Sequence, residues 1–291
     1  MSWRTVVISR RAKLDLQLNY LVIRGTETSK VHLSEIGTLL IESTAVSLTA
    51  SLLSELTRRK IKVIFCDEKR NPSSELVSYY GSHDTSNKVR TQITWNDRVK
   101  EGAWTEIVTE KIRKQKELLE KVGKEEESAL LASYIKEIAW RDETNREGHA
   151  AKVYFNALFG KDFTRSQECE INAALNYGYA IILSSFNREV VSNGYITQLG
   201  LFHNNMFNQF NLSSDLMEPF RILIDQKVYE MKPCKFEHDE KMHLVNVLNQ
   251  EVKIDGQRNY VNNAIKIYVR SVFDALNEGD SALIRFYQNE L

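Results

Sequence analysis

The 291-residue chain is 42% hydrophobic and 27% charged, the balance of a globular protein rather than a disordered or membrane-embedded one. Its 39 Lys and Arg residues equal its 39 Asp and Glu residues, so bulk charge excludes a strongly basic polyanion binder and leaves local basic patches open. No apolar run reaches the length of a membrane span, and the start MSWRTVVISRR has no signal-peptide h-region. Cys66, Cys169 and Cys234 form neither a zinc spacing nor a disulfide framework, so reducing cytoplasm is the expected compartment.

The first eighty residues read as mostly β. Thr5–Ile8 is a β-branched run. Leu14, Leu16 and Leu18 alternate with polar residues, the period of a half-buried strand. Leu21–Ile23, Leu39–Ile41 and Val63–Phe65 are further strands. One helix intervenes, with Leu48, Leu52 and Leu56 at i+4 and Arg58, Arg59 and Lys60 in its last turn, where the helix dipole favours cations. Residues 71–88 carry Pro72, Gly81 and several serines, which suits a linker or an exposed hairpin. Helical periods then take over. Val108, Ile112, Leu119 and Val122 mark one face of a long charged helix. Residues 171–187 are apolar on nearly all sides, as in a central buried helix, and Val261, Ile265, Tyr268, Val272 and Leu276 mark a last amphipathic one. The expected fold class is α+β: a small β-rich dimerisation domain over 1–78, a linker over 79–90, and a larger all-α catalytic domain over 91–291.

Three segments of the helical part carry metal-capable side chains: Asn145–Ala151 (NREGHAA), Gly200–Asn205 (GLFHNN) and Asp215–Arg221 (DLMEPFR). Each has an ordinary structural explanation. Asn145 suits an N-cap with Glu147 in the first turn, Asp215 and Glu218 resemble a capping box, and Arg221 and Asp225 suit an i, i+4 pair. His203 suits a loop histidine donating to a carbonyl. Alternatively, Glu147, His203 and Glu218 converge on one divalent ion. Two carboxylates and an imidazole suit Mg²⁺ or Mn²⁺ with open water positions better than a closed zinc site.

Taken in order, NREGHAA, LNYGYAIILS at 175–184, GLFH and DLMEPFR resemble the CRISPR adaptation integrase ("Cas-one") family, in the form found with single-effector systems. The strand-rich start ending in VIFCDEKRNP is similar too, so the resemblance spans essentially the whole chain. It implies Glu147, His203 and Glu218 as catalytic metal ligands for Mg²⁺ or Mn²⁺. It also implies auxiliary places for Asn145, Tyr177, Asp215 and Arg221: Asn145 as a hydrogen bonder, Tyr177 near the scissile strand, Asp215 as a further ligand, and Arg221 orienting a carboxylate or phosphate. His149 matches a family position but points away from Glu147. The implied activity is metal-dependent DNA integrase and endonuclease chemistry, joining 3′-hydroxyl ends of short duplex fragments to the CRISPR repeat. The implied partners are double-stranded DNA, repeat DNA, a second copy of the chain, a small "Cas-two" dimer bridging two homodimers, other adaptation proteins and the effector nuclease.

Basic clusters supply candidate DNA contacts: Arg10, Arg11 and Lys13; Arg58, Arg59, Lys60 and Lys62 with Lys69 and Arg70; and Lys111, Arg113, Lys114 and Lys116. Tyr20, Tyr79 and Tyr80 are candidates either for stacking on splayed bases or for ordinary packing. Two other readings stand beside integration: a nuclease with the same ion and water as nucleophile, and a non-enzymatic DNA-binding scaffold. Clustered carboxylates repel without metal. Glu147→Gln or Glu218→Gln is therefore expected to leave the metal-free protein as stable or more so.

Overall fold

The computed structural model describes residues 4–79 and 81–288. The β part holds β1 (Arg4–Ile8), β2 (Ala12–Gln17), β3 (Tyr20–Arg24), β4 (Thr28–His32), β5 (Ile36–Ile41), β6 (Val46–Leu48), α1 (Ala50–Arg58), β7 (Lys62–Cys66) and β8 (Pro72–Glu75). They form two four-stranded sheets, ordered β4-β3-β2-β6 and β1-β5-β7-β8. In the second sheet β1, β5 and β7 run parallel, and β8 returns antiparallel along β7.

Strand β5 is buried at every position. Leu39 and Ile41 enter the β core with Leu14, Leu21, Leu52 and Leu56. Leu40, on the opposite face, joins the helical core together with Ile64 and Cys66. A strand covered on both faces reads as a continuous apolar run, which is why Leu39–Ile41 shows no alternation. The two parts of the molecule therefore share one sheet.

The helical part follows: α2 (Thr85–Ile93), α3 (Asp97–Lys121), α4 (Glu125–Glu137), α5 (Arg146–Phe159), α6 (Glu170–Ser192), α7 (Asn211–Leu216), α8 (Arg221–Met231), α9 (His238–Val245), β9 (Glu251–Ile254), β10 (Gln257–Tyr260) and α10 (Val261–Glu278). Helix α6 is central, as its all-round apolar sequence predicts. It packs against α7, α8, α9, α10 and the β7–β8 ladder. Helix α3 lies across α4, α5 and α10, burying Trp104, Ile107, Val108, Ile112 and Leu119.

Several expectations change. Leu18 ends the leucine alternation in a turn, with φ +47° and 85% exposure, because β2 and β3 meet there as a tight hairpin. Leu48 belongs to β6, and α1 starts two residues later, capped by the Thr49 hydroxyl. The stretch 71–88 is not free: β8 pairs with β7, and α2 begins at Thr85, inside the expected 79–90 linker. Lys60 fastens that segment to the helical part, its Nζ donating to the Gly81 carbonyl at 2.9 Å and the Ser192 carbonyl at 3.3 Å. The helical domain is not purely α, since β9 and β10 pair as a hairpin before α10. No helix among the described residues is long and apolar enough to cross a membrane.

Candidate active site

Glu147 stands in the first turn of α5. Asp142 starts that helix, its carboxylate accepting the backbone N–H groups of Arg146 at 2.8 Å and Glu147 at 2.9 Å. Asn145 is not the side-chain cap expected: it takes φ +51° and makes no capping bond. Its amide instead covers Gly148, where a Cβ would come within 2.7 Å of Asn145 Oδ1. Glu218 opens a 3₁₀ turn, Glu218–Phe220, between α7 and α8. That turn packs on α3, so Glu147 and Glu218 both meet Lys111. The ammonium lies 2.5 Å from Glu147 Oε1 and 2.6 Å from Glu218 Oε2. Arg221 Nη2 holds the other Glu218 oxygen at 3.0 Å.

His203 reaches the same region from the loop before α7. Its Nδ1 hydrogen-bonds Asp215 Oδ1. Asp215 also accepts the N–H groups of Leu201 at 2.6 Å, Phe202 at 3.0 Å and His203 at 3.3 Å. The loop closes this tightly because residue 200 is glycine: a Cβ there would lie 2.3 Å from the His203 carbonyl and 2.7 Å from Asp215 Oδ2. Asp215 is thus a positioning residue with both oxygens engaged, rather than a capping-box member or a further ligand. It directs the Nδ1 proton of His203 to itself and leaves Nε2 as the lone-pair nitrogen. Trp104 stands edge-on to the imidazole, 5.6 Å between ring centroids, and Phe202 stacks on the indole at 4.6 Å.

The electrostatics follow from this arrangement. Burial opposes the charge on Lys111, but Glu218 and Glu147 outweigh it and hold its pKa above the ordinary lysine value. Burial likewise opposes ionisation of Glu218, and Arg221 and Lys111 outweigh it, keeping the carboxyl below its usual range. The hydrogen bond to Asp215 holds His203 above the ordinary histidine value despite its partial burial. Burial pushes the Asp215 carboxyl up, with the imidazole and backbone N–H donors pulling the other way.

Two carboxylates and an imidazole are the donor set of a hard divalent cation. Glu218 Oε2 is buried, with the Lys111 ammonium as its ion-pair partner at 2.6 Å. It faces a cation seat that the Lys111 ammonium now holds. No three His, Cys, Asp or Glu side chains among the described residues stand close enough to form a cage as they are. The fit is therefore one of chemistry and convergence, with Lys111 between the carboxylates. The ammonium also reverses the expected stability effect: the carboxylates are neutralised, so removing one leaves a buried lysine underpaired.

Tyr177 lies elsewhere. It is 3% exposed and lines a separate pocket, its ring 5.6 Å from Phe236 with Lys241 Nζ 5.4 Å above it. Two residues along α6, Tyr179 is the tyrosine beside Arg221, whose guanidinium lies 4.8 Å from its ring. Tyr179 and Tyr154 donate to Asp225, so the expected Arg221–Asp225 pair is replaced by two phenol donors. His149 points to Tyr134, 6.3 Å between ring centroids.

The basic clusters divide. Arg10, Arg11 and Lys13 are exposed. Arg58 and Arg59 both grip Glu55, Lys62 is buried against Glu75, and Arg70 lies 3.7 Å from Glu42. Lys69 is exposed. The cluster on α3 is engaged within the chain: Lys111 sits between Glu147 and Glu218, buried Lys114 pairs with Glu117, and Arg113 and Lys116 pair with Glu110 and Glu120. Tyr20 packs edge-on to His32, Tyr79 is 97% exposed, and Tyr80 lies outside the described residues. Lys111, Asp142 and Tyr179 are the site residues that sequence reasoning missed. Lys111 had a signal: it falls three residues after Val108 and beside Ile112, a charge inside an apolar stripe.

The β domain sharing its sheet with a helical bundle places the molecule in a known fold class. A casposase bound to integration product has this fold, with TM-score 0.77 at 16% identity over 95% of this chain and 91% of that one. So does a chain of a Cas6-RT-Cas1–Cas2 complex, with TM-score 0.74 at 17% identity, covering 99% of this chain and 36% of that longer one. Residues 5–246 match the family described as CRISPR associated protein Cas1. The CRISPR-associated endonuclease Cas1 of Neisseria meningitidis serogroup C (strain 8013) is 34% identical over 263 residues, 88% of this chain and 86% of its own. The chain belongs to the CRISPR-associated Cas1 family.

Proposed function

We propose that this chain is a divalent-metal-dependent DNA integrase and endonuclease of CRISPR adaptation. It joins the 3′-hydroxyl ends of short duplex fragments to the CRISPR repeat by transesterification. Family membership supports the reaction class. The observation that carries the site is the convergence of Glu147 and Glu218 on one cation seat, beside a histidine oriented by Asp215.

In this reading Glu147, His203 and Glu218 hold Mg²⁺ or Mn²⁺, which when bound polarises a phosphodiester oxygen and lowers the pKa of a hydroxyl nucleophile. Asp215 keeps the His203 Nδ1 proton in place and so keeps Nε2 available. Arg221 fixes the Glu218 carboxylate. Lys111 keeps positive charge beside the reacting phosphate, where negative charge grows in the transition state. One phosphodiester forms as another breaks, so no nucleotide is consumed.

The neighbour solved within a Cas1–Cas2 assembly supports a "Cas-two" partner, which in this reading is a dimer bridging two homodimers of this chain. Strand β4 pairs on one side with β3 and ends its sheet, an edge that a second copy can cover. The deciding experiment incubates an end-labelled duplex fragment with a repeat-bearing plasmid and Mn²⁺. Label joined to the plasmid supports integration. Shortened label without joining favours the hydrolytic nuclease, and no change in either strand leaves the scaffold.

A further inference from the structure

We propose that a basic groove between the C-terminal hairpin, α10 and the end of α1 binds the phosphodiester backbone of duplex DNA, apart from the Lys111 cleft. This rests on the reading of the chain as acting on DNA and adds a binding surface to it. The groove has a volume of about 550 Å³ and is lined by Arg59, Lys60, Arg188, Arg258, Lys266 and Arg270. Against these six cations stand two carboxylates, Glu189 and Glu251. A chain of zero net charge thus gathers a local excess of positive charge on one concave surface.

Part of that charge is committed and part is not. Arg59 pairs with Glu55 and Arg188 with Glu189. Lys60 donates to main-chain carbonyls, which leave its charge uncompensated. Lys266 and Arg270 are exposed, one turn apart on α10, and enter no ion pair among the described residues. The groove also receives the start of α10, whose positive helix end favours an anion.

The occupant follows from the lining. The cations are spread over α1, α6, the hairpin and α10 rather than aimed at one point, which suits a chain of phosphates better than a single small anion. Between them lie the neutral amides of Asn193, Asn259 and Asn263, each with one N–H held within the chain and a second that can donate to a phosphate oxygen without adding charge. The wall built by residues 251–270 lies beyond 5–246, the stretch matched to the family.

The test is the Lys266→Ala/Arg270→Ala double variant of the full chain, with Lys266→Arg/Arg270→Lys as the conservative control. Binding of a fluorescent duplex of arbitrary sequence is followed by anisotropy across a salt series. The salt slope of the alanine variant is expected to shrink by about 2, near 0.9 for each lost phosphate contact. The conservative variant keeps the wild-type slope, and thermal unfolding is unchanged in both. An alanine variant with wild-type affinity and slope overturns the groove. So does polyglutamate binding as tightly as the duplex and lost in the same variant, which assigns the surface to an acidic protein. A wild type whose slope responds to these changes but which joins no strands breaks the integrase reading and leaves the groove standing. A wild type that joins strands while the slope ignores the changes breaks the groove alone.

Discussion

Two buried lysines, Lys111 in the cleft and Lys62 at the shared sheet, meet burial with opposite outcomes. Lys62 has one carboxylate, Glu75, which also accepts from the Ser184 hydroxyl at 3.0 Å. Arg188 nearby adds like charge, so burial wins and the Lys62 pKa falls to about 8. Lys111 is gripped by two carboxylates from different elements, and its pKa rises instead. At the sheet the charges are matched one to one, which holds two layers together. In the cleft, negative groups from α5 and the 3₁₀ turn exceed the one ammonium that separates them, and Arg221 is needed to balance the set. Two carboxylates from different elements converging on one cation mark a place able to hold one.

The largest test of this contrast is Glu218→Gln. Strand joining is expected to fall by about 10²–10³-fold or more, and the metal-free protein to lose about 3 kcal/mol in denaturant unfolding, because Lys111 and Arg221 stay while their shared partner loses its charge. Unchanged stability would return Glu218 to a passive role. Lys111→Met removes the separating ammonium instead. Metal-free stability is expected to drop by about 3 kcal/mol, with Mn²⁺ at a hundredfold excess over its Kd restoring about 2.7 kcal/mol. A Mn²⁺ response no greater than that of an Lys111→Met/His203→Ala chain argues against a shared ligand set.

Lys62 sharpens the other half. Its folded pKa, about 8, lies below the unfolded lysine value of 10.5. The native state therefore binds fewer protons between these values, and stability rises with pH across that window, then is lost as pH falls through about 8. The gain approaches about 3 kcal/mol at its upper limit. Unfolding curves from pH 7.5 to 10.5 should show this slope in the wild type relative to Lys62→Met; parallel curves would refute it. Asp215→Asn should weaken Mn²⁺ binding about 10–100-fold, as measured by thermal-shift titration, by releasing the His203 ring. The smallest effect belongs to Tyr177→Phe. Its hydroxyl is buried without a hydrogen-bond partner among the described residues, so stability should stay within about 1 kcal/mol and joining should be unaltered. A large loss of joining would put Tyr177 back beside the scissile strand.

Much of the β part was legible because its strands alternate or run continuously apolar, and α6 and α10 because their stripes are long. The short strands β4, β6 and β8 were not. Thr28–His32 and Pro72–Glu75 are polar edge strands whose pairing comes from neighbours. The three site segments were readable as motifs, yet their partners were not. Asp142 carries no periodic signal, and Lys111 read as one more lysine in a charged helix.

By itself the sequence determined the division into a β-rich part followed by a helical part, the longer elements of each, and the residue types able to bind a cation. These are local properties, carried by period, turn chemistry and side-chain identity. Tertiary structure alone decided that Lys111 sits between Glu147 and Glu218, that Asp215 spends both oxygens on the His203 loop, and that Tyr179 rather than Tyr177 meets Arg221. Those outcomes depend on how α3, α5, α6 and the 3₁₀ turn pack together. Packing is set by the summed burial of many side chains rather than by any one segment.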